Sequence, residues 1–251
     1  MAYAAVKTLA RPIGLYRAAR WFNRHFLNRK ELVRELGDVT LFSRFVRPED
    51  LVFDVGANWG EKCLVFLRMG ARVVAIEPQE DCLDELFARC GRHSQLTTVK
   101  AAVAATEGTS RFFVRPHRGV SGLLEEWEEE TEAEIMVRTV TLDQLIATYG
   151  KPAFIKLDIE GFEYEALRGL TQPVPSVSFE YHLRPSDVEK TRKCVDHLAG
   201  LGKIAINITA AEGHAFRYAE WLTVDEFRRV FPDHLSGQHS YRYGDVFVTT
   251  T

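Results

Sequence analysis

Leu51-Val-Phe-Asp-Val-Gly-Ala-Asn-Trp-Gly60 decides the fold. Leu51 to Val55 is a short apolar run holding one carboxylate, the pattern of a strand buried on both faces. Gly56 to Gly60 breaks the run. Glu61 to Met69 then reads as a helix that Gly70 stops. Strand, glycine turn and helix in that order open a parallel α/β sheet, where ligands bind outside the carboxyl ends of the strands.

The loop narrows the ligand. Its G-x-x-x-G spacing is neither the dinucleotide fingerprint G-x-G-x-x-G nor the phosphate loop G-x-x-x-x-G-K-[ST]. Gly56 and Gly60 are expected to let the backbone turn tightly and approach a ligand. Asp54 at the strand end would repel a pyrophosphate. It suits a ligand with an ammonium and a sulfonium close together, which describes S-adenosylmethionine. Glu77 lies 23 positions after Asp54, near the offset at which an acid meets ribose hydroxyls. Asp54, Gly56, Asn58, Gly60, Glu77 and Ala102 are therefore the expected donor contacts. Trp59, at a helix start, either packs over the donor or serves the core.

Outward from the loop the alternation continues. Strands are expected at Arg72 to Ile76, Leu96 to Val103, Ala153 to Ile159, Val177 to Tyr181, Ile204 to Ile208 and Asp245 to Thr249. Helices fall at Asp81 to Cys90, Leu142 to Tyr149, Phe162 to Leu170 and Val188 to Leu198. Ser110 to Arg115 and Ile135 to Thr141 read as additional strands. Between them Ser121-Gly122 forms a turn or a cover for the site. Glu125 to Glu134 holds seven Glu and reads as a solvated excursion. The pattern is a doubly wound, mostly parallel sheet covered on both faces.

Upstream, Leu15, Ala18, Ala19, Phe22 and Phe26 recur at helical spacing among Arg17, Arg20 and Arg24, and Leu32 to Phe45 is a second helical stretch. Residues 1–47 contain ten Lys/Arg and three Asp/Glu, whereas the whole 251-residue chain has a net charge of −3. The division expected is a basic helical segment over 1–47 and a catalytic domain over 48–251. The basic segment is read as a helix packed on the domain, with peripheral contact to an anionic membrane as the alternative. The overall charge argues against nucleic acid as a partner. No C-x-x-C pair or zinc spacing is present among the four Cys, and no run reaches a membrane span. The expectation is a cytoplasmic protein with reduced thiols.

Four stretches resemble the FkbM-type methyltransferase family. They are LVFDVGANWG at 51–60, VAIEPQ at 74–79, TLDQL at 141–145 with FIKLDIEGFEYEALRGL at 154–170, and SFEYH at 178–182. The resemblance implies a class I methyltransferase (Rossmann-like) fold with seven strands, the last antiparallel. It also implies S-adenosylmethionine as donor and a hydroxyl acceptor on a sugar, polyketide or similar metabolite, free or carried on a glycan or lipid.

Transfer to a hydroxyl needs alignment and a base for the proton. His182 is the expected base because its pKa is near neutral, with Asp158 or Glu160 orienting it or binding the acceptor. The alternative is a divalent metal, Mg²⁺ or Mn²⁺, on Asp158, Glu160, Glu180 and His182. Lys156, inside a strand, is read as a carboxylate partner, and Glu163 as an acid in the first turn of a helix. Two rival functions stand beside methyl transfer. One is an NAD(P)-dependent oxidoreductase, disfavoured by Asp54 and the missing third glycine. The other is a catalytically silent domain that binds partners, disfavoured by the intact acids.

Overall fold

The computed structural model describes residues 29–117, 120–125, 130–211, 213–231 and 243–251. The helix expected around Leu15 to Phe26 and the core of the Glu-rich stretch lie outside them. In chain order the elements are α1 (Arg29–Phe42), β1 (Leu51–Val55), α2 (Glu61–Arg68), β2 (Arg72–Ile76), α3 (Glu80–Cys90), β3 (Leu96–Val99), β4 (Ala102–Val103), β5 (Gly108–Val114) and β6 (Ala133–Val140). They continue with α4 (Leu142–Tyr149), β7 (Phe154–Leu157), α5 (Glu163–Leu167), β8 (Ser176–His182), α6 (Pro185–Leu201), β9 (Ile204–Ile208), α7 (Val224–Val230) and β10 (Tyr243–Thr250).

Seven strands form one sheet in the order β3-β2-β1-β7-β8-β10-β9, with β10 antiparallel to both of its neighbours. This is the expected class I methyltransferase arrangement, doubly wound with one reversed strand. The pleat sends alternate residues of β1 to opposite faces. Leu51, Phe53 and Val55 join one core, with Leu142 and Leu145 of α4, Leu167 of α5 and Val195 of α6. Val52 joins the other, with Leu41 and Phe42 of α1, Phe66 of α2 and Leu86 of α3. Both cores are closed by residues the sequence places at helical spacing. Capping boxes at Thr141–Gln144 and Thr223–Glu226 fix where α4 and α7 begin.

The strand expected over Leu96 to Val103 is instead two. β3 stays in the main sheet, while Ala102–Val103 pairs with β6 in a separate three-stranded sheet, β4-β6-β5. Lys100 and Ala101 make the turn between them, with Ala101 N–H donating back to the Val99 carbonyl. A continuous apolar reading cannot see such a switch of sheet. The short helix α7 also carries too few residues to stand out as periodic.

Candidate active site

The strand order reverses between β1 and β7, so the crevice opens at their carboxyl ends. There a cleft of about 430 Å³ is lined by Asp54, Gly56, Ala57, Asn58 and Trp59 from the first loop, and by Glu77 and Gln79 after β2. Ala102 and Val103 line it from β4, Val120 to Leu123 from the connection between β5 and β6, Lys156 from β7, Asp158 and Glu160 from the loop after it, and Glu180 from β8.

Of the expected donor residues, all but Gly60 line this cleft. Glu77 is buried and already organised. One carboxylate oxygen accepts from the Asn58 backbone N–H at 2.9 Å, the other from the Gln79 N–H at 2.9 Å. Burial pushes its carboxyl up to about 7 in spite of those donors. Asn58 holds a left-handed backbone, φ 45°, and its side-chain oxygen is buried without a partner.

Both glycines make the tight turn and are closely packed on the rest of the protein. Both have positive φ, and a Cβ on Gly56 would lie 1.9 Å from the Asp158 carbonyl oxygen. On Gly60 it would meet the Leu86 side chain at 2.7 Å. Gly60 packs on α3, whereas Gly56 packs on the neighbouring strand end and also lines the cleft. Trp59 lines the cleft and remains partly exposed, while its carbonyl accepts from Arg89 Nε.

A charge cluster sits at the base of the cleft. The register pairs Asp54 with Lys156 across β1 and β7, and Asp245 with Glu180 across β10 and β8. Lys156 is buried and donates to Asp158 at 2.6 Å. Its burial pulls it down, yet Asp158, Asp245 and Asp54 outweigh that and hold it above the ordinary lysine range. Asp158 is lowered, because Lys156 overcomes its own burial. Asp54 stays raised by burial, partly offset by Lys156 and by the Cys63 thiol that donates to it at 3.0 Å.

Beyond the cluster the acids crowd without enough cations. Glu160, at a left-handed position of φ 56°, is pushed up to about 10 by burial and by Glu180 and Asp158. Glu180 is raised to about 7 by burial and by Asp158, against the pull of His182. His182 Nε2 lies 3.1 Å from Glu180 Oε2, and that bond raises the imidazole against the effect of its burial. His182 itself does not line the main cleft. It faces a small cavity behind, shared with Glu163, Asp187 and Lys190, and Glu180 borders both. Glu160, Glu180 and His182 offer ligand atoms within 4.8 Å of one another. Asp158 is engaged by Lys156 instead. Glu163 clamps the turn before α5, accepting from the Ile159 and Gly161 N–H groups at 3.2 and 3.1 Å.

The Glu160 environment carries a stability prediction. A carboxyl raised in the folded state contributes stability that is complete below its ordinary value of 4.5 and lost as pH climbs towards about 10. The melting temperature of the ligand-free protein is thus expected to fall between about pH 5 and about pH 8, with Glu180 and Glu77 adding to the slope. Glu160→Gln should flatten that fall and raise Tm at about pH 8 by roughly 3–10 °C. A steeper fall in the variant, read by calorimetry, contradicts this.

Sequence reasoning missed Asp245 and the part Arg115 plays in the wall formed by Val120 to Leu123. Arg115 is buried and staples that wall, donating to the carbonyls of Val120 at 3.1 Å and Leu124 at 2.7 Å, while its own N–H donates to Ser121 Oγ at 2.9 Å. The Ser121-Gly122 turn therefore belongs to the cleft lining.

A profile of the family described as "Methyltransferase FkbM domain" matches residues 54–234. The hexuronic acid methyltransferase AglP of Haloferax volcanii is 28% identical over 170 residues, 64% of this chain and 69% of that protein. Among solved structures, the O-methyltransferase from Bacillus cereus in complex with SAH overlays with a TM-score of 0.45 at 12% identity, over 96% of this chain and 90% of that one. TomG from Streptomyces achromogenes, an O-methyltransferase solved with SAM, gives 0.44 at 10% identity, over 86% and 80%. Among the described residues no helix is long and apolar enough to cross a membrane.

Proposed function

We propose that this chain, which belongs to the family of methyltransferases with an FkbM domain, transfers the methyl group of S-adenosylmethionine to a hydroxyl of a sugar or similar metabolite. The single observation that carries the reading is the pairing, in one cleft, of an organised Glu77 and a buried Asp54 with the Glu160–Glu180 carboxylates on its far side. Glu77 presents a carboxylate to ribose hydroxyls, and Asp54 to an ammonium. AglP is a hexuronic acid methyltransferase, which makes a uronic acid or its glycoside the first acceptor to try.

When bound, the donor supplies an electrophilic methyl on a sulfonium. The chain's residues supply orientation and proton removal. Glu180 faces the cleft with a carboxyl at about 7, the range in which a base is both deprotonated and strong enough to take a proton in the transition state. His182 stands behind it and stabilises the deprotonated form. Glu160, protonated near neutral pH, offers an O–H donor to the acceptor.

A second reading is favoured by the convergence of Glu160, Glu180 and His182 within 4.8 Å. Hard oxygen donors and one imidazole suit Mg²⁺ or Mn²⁺, which would acidify a bound hydroxyl. Incubation with S-adenosylmethionine and a panel of uronic acid and neutral glycosides tests the function. The expected result is a product heavier by one methylene and stoichiometric S-adenosylhomocysteine. Loss of turnover with EDTA, restored by Mg²⁺ or Mn²⁺, selects the second reading. Failure to bind S-adenosylmethionine defeats both.

The donor site carries its own prediction. Glu77→Ala should weaken S-adenosylhomocysteine binding by about 1.5–3 kcal/mol, the worth of hydrogen bonds to a charged group. Calorimetric affinity equal to wild type would remove Glu77 from the ribose site.

A further inference from the structure

The donor is a zwitterion at its amino-acid end, with an ammonium and a carboxylate on the same carbon. Asp54 accounts for the ammonium only. A carboxylate brought beside Asp54, Asp158 and Asp245 is repelled unless a cation meets it. Among the described residues, three Lys and Arg side chains line the cleft: Arg34, Lys62 and Lys156. Lys156 is buried and committed to Asp158. Arg34 is the most exposed of the three and faces Glu61 at 3.6 Å.

Lys62 differs from both. It stands in the first turn of α2, directly after the glycine loop, and its side chain is 21% exposed. Its charge reaches Asp54, Asp158 and Asp245, which puts it at the same end of the cleft. Its ammonium donates to both carboxylate oxygens of Asp38 at 2.7 Å. An ammonium has three N–H donors, so a further acceptor can be served. Asp38 is buried on α1 and also faces His214 Nε2 at 3.3 Å. The helix is seated closely there, since a Cβ on Gly37 would lie 2.3 Å from the His214 ring.

The geometry points to Lys62 as the group that holds the α-carboxylate of the donor, with Asp38 of α1 as its positioning residue. Asp38 lies outside the stretch matched by the family profile, residues 54–234. The inference rests on S-adenosylmethionine being the donor.

Three probes separate the two claims by calorimetry: S-adenosylhomocysteine, its decarboxylated analogue, which keeps the ammonium, and 5′-methylthioadenosine, which lacks the amino-acid head. Lys62→Met is expected to weaken S-adenosylhomocysteine about ten-fold or more. The other two probes should stay within about two-fold of wild type, which also shows that the cleft is still built. Should Lys62→Met unfold by leaving Asp38 uncompensated, Lys62→Met with Asp38→Asn carries the same comparison and the same expected selectivity. Equal losses on S-adenosylhomocysteine and its decarboxylated analogue overturn the role of Lys62. So does a selective loss that follows Arg34→Met instead. Wild-type protein that binds none of the three probes fails the donor reading itself, a result distinct from either.

Discussion

Gly56→Val is expected to destroy donor binding and to destabilise the fold, because the obstruction it creates is main chain. At φ 79° a side chain is strained from the outset, and its Cβ would stand 1.9 Å from the Asp158 carbonyl oxygen. No rotamer relieves contact with a carbonyl. The ends of β1 and β7 must part, and the bond from the Asp158 N–H to the Val55 carbonyl, 3.0 Å, goes with them. That seam carries Asp54 and Lys156 side by side. The expected loss of stability is about 3 kcal/mol or more, and S-adenosylhomocysteine affinity should drop by more than about 100-fold. Gly56→Ala should follow in the same direction, since the clash begins at Cβ. Thermal melting and titration measure both. A Gly56→Val protein with wild-type melting and affinity would show that the turn is built otherwise.

The second large effect is on turnover. Glu180→Gln and His182→Ala are each expected to lower kcat by about 10²-fold or more while leaving S-adenosylhomocysteine affinity within about two-fold. Glu180 must be deprotonated to accept the hydroxyl proton, so wild-type activity should rise with pH through the region of about 7. Glu180→Gln should erase that limb. His182→Ala should move it upward, because the imidazole favours the deprotonated carboxyl. Glu163→Gln serves as the contrast. Its carboxylate holds the turn at Ile159 and Gly161, so the variant should lose about 1–2 kcal/mol of stability with little change in kcat. If His182→Ala turns over as wild type does, proton removal belongs to Glu180 without help from the imidazole.

Much of this site was legible because one strand–loop–helix unit exposes its own chemistry. Asp54 in an apolar run and Glu77 at the next strand end are local signals, and parallel strands put both at the same edge. Lys156 was legible as a carboxylate partner for the same reason. Asp245 was not. It opens a strand that runs the other way, and an antiparallel strand brings its beginning, not its end, to the carboxyl edge of its neighbours. The resemblance implies a reversed last strand, but no local signal in that strand says which of its residues the reversal brings to the cleft. His182 was legible as a histidine at a strand end. Alternation along β8 fixes only which face each side chain takes, not that Glu180 would stand between it and the main cleft. The Arg115 staple left no trace in sequence, because its partners are carbonyl groups that every residue possesses.

The three-stranded sheet leaves the main one and returns at almost the same point. Its two ends, Ala102–Val103 and Thr139–Val140, lie hydrogen-bonded side by side. The stretch between them pairs its strands β5 and β6 with each other rather than with the seven-stranded sheet. The penalty for lengthening such a loop grows only with the logarithm of its length, about 0.6 kcal/mol per doubling. Insertions between Val114 and Ala133, outside the paired strands and clear of Arg115, are therefore expected to cost the main sheet little while they reshape one wall of the cleft. On the proposed function, a chimera made by grafting this stretch from a relative is expected to change the acceptor and to keep the affinity for S-adenosylhomocysteine.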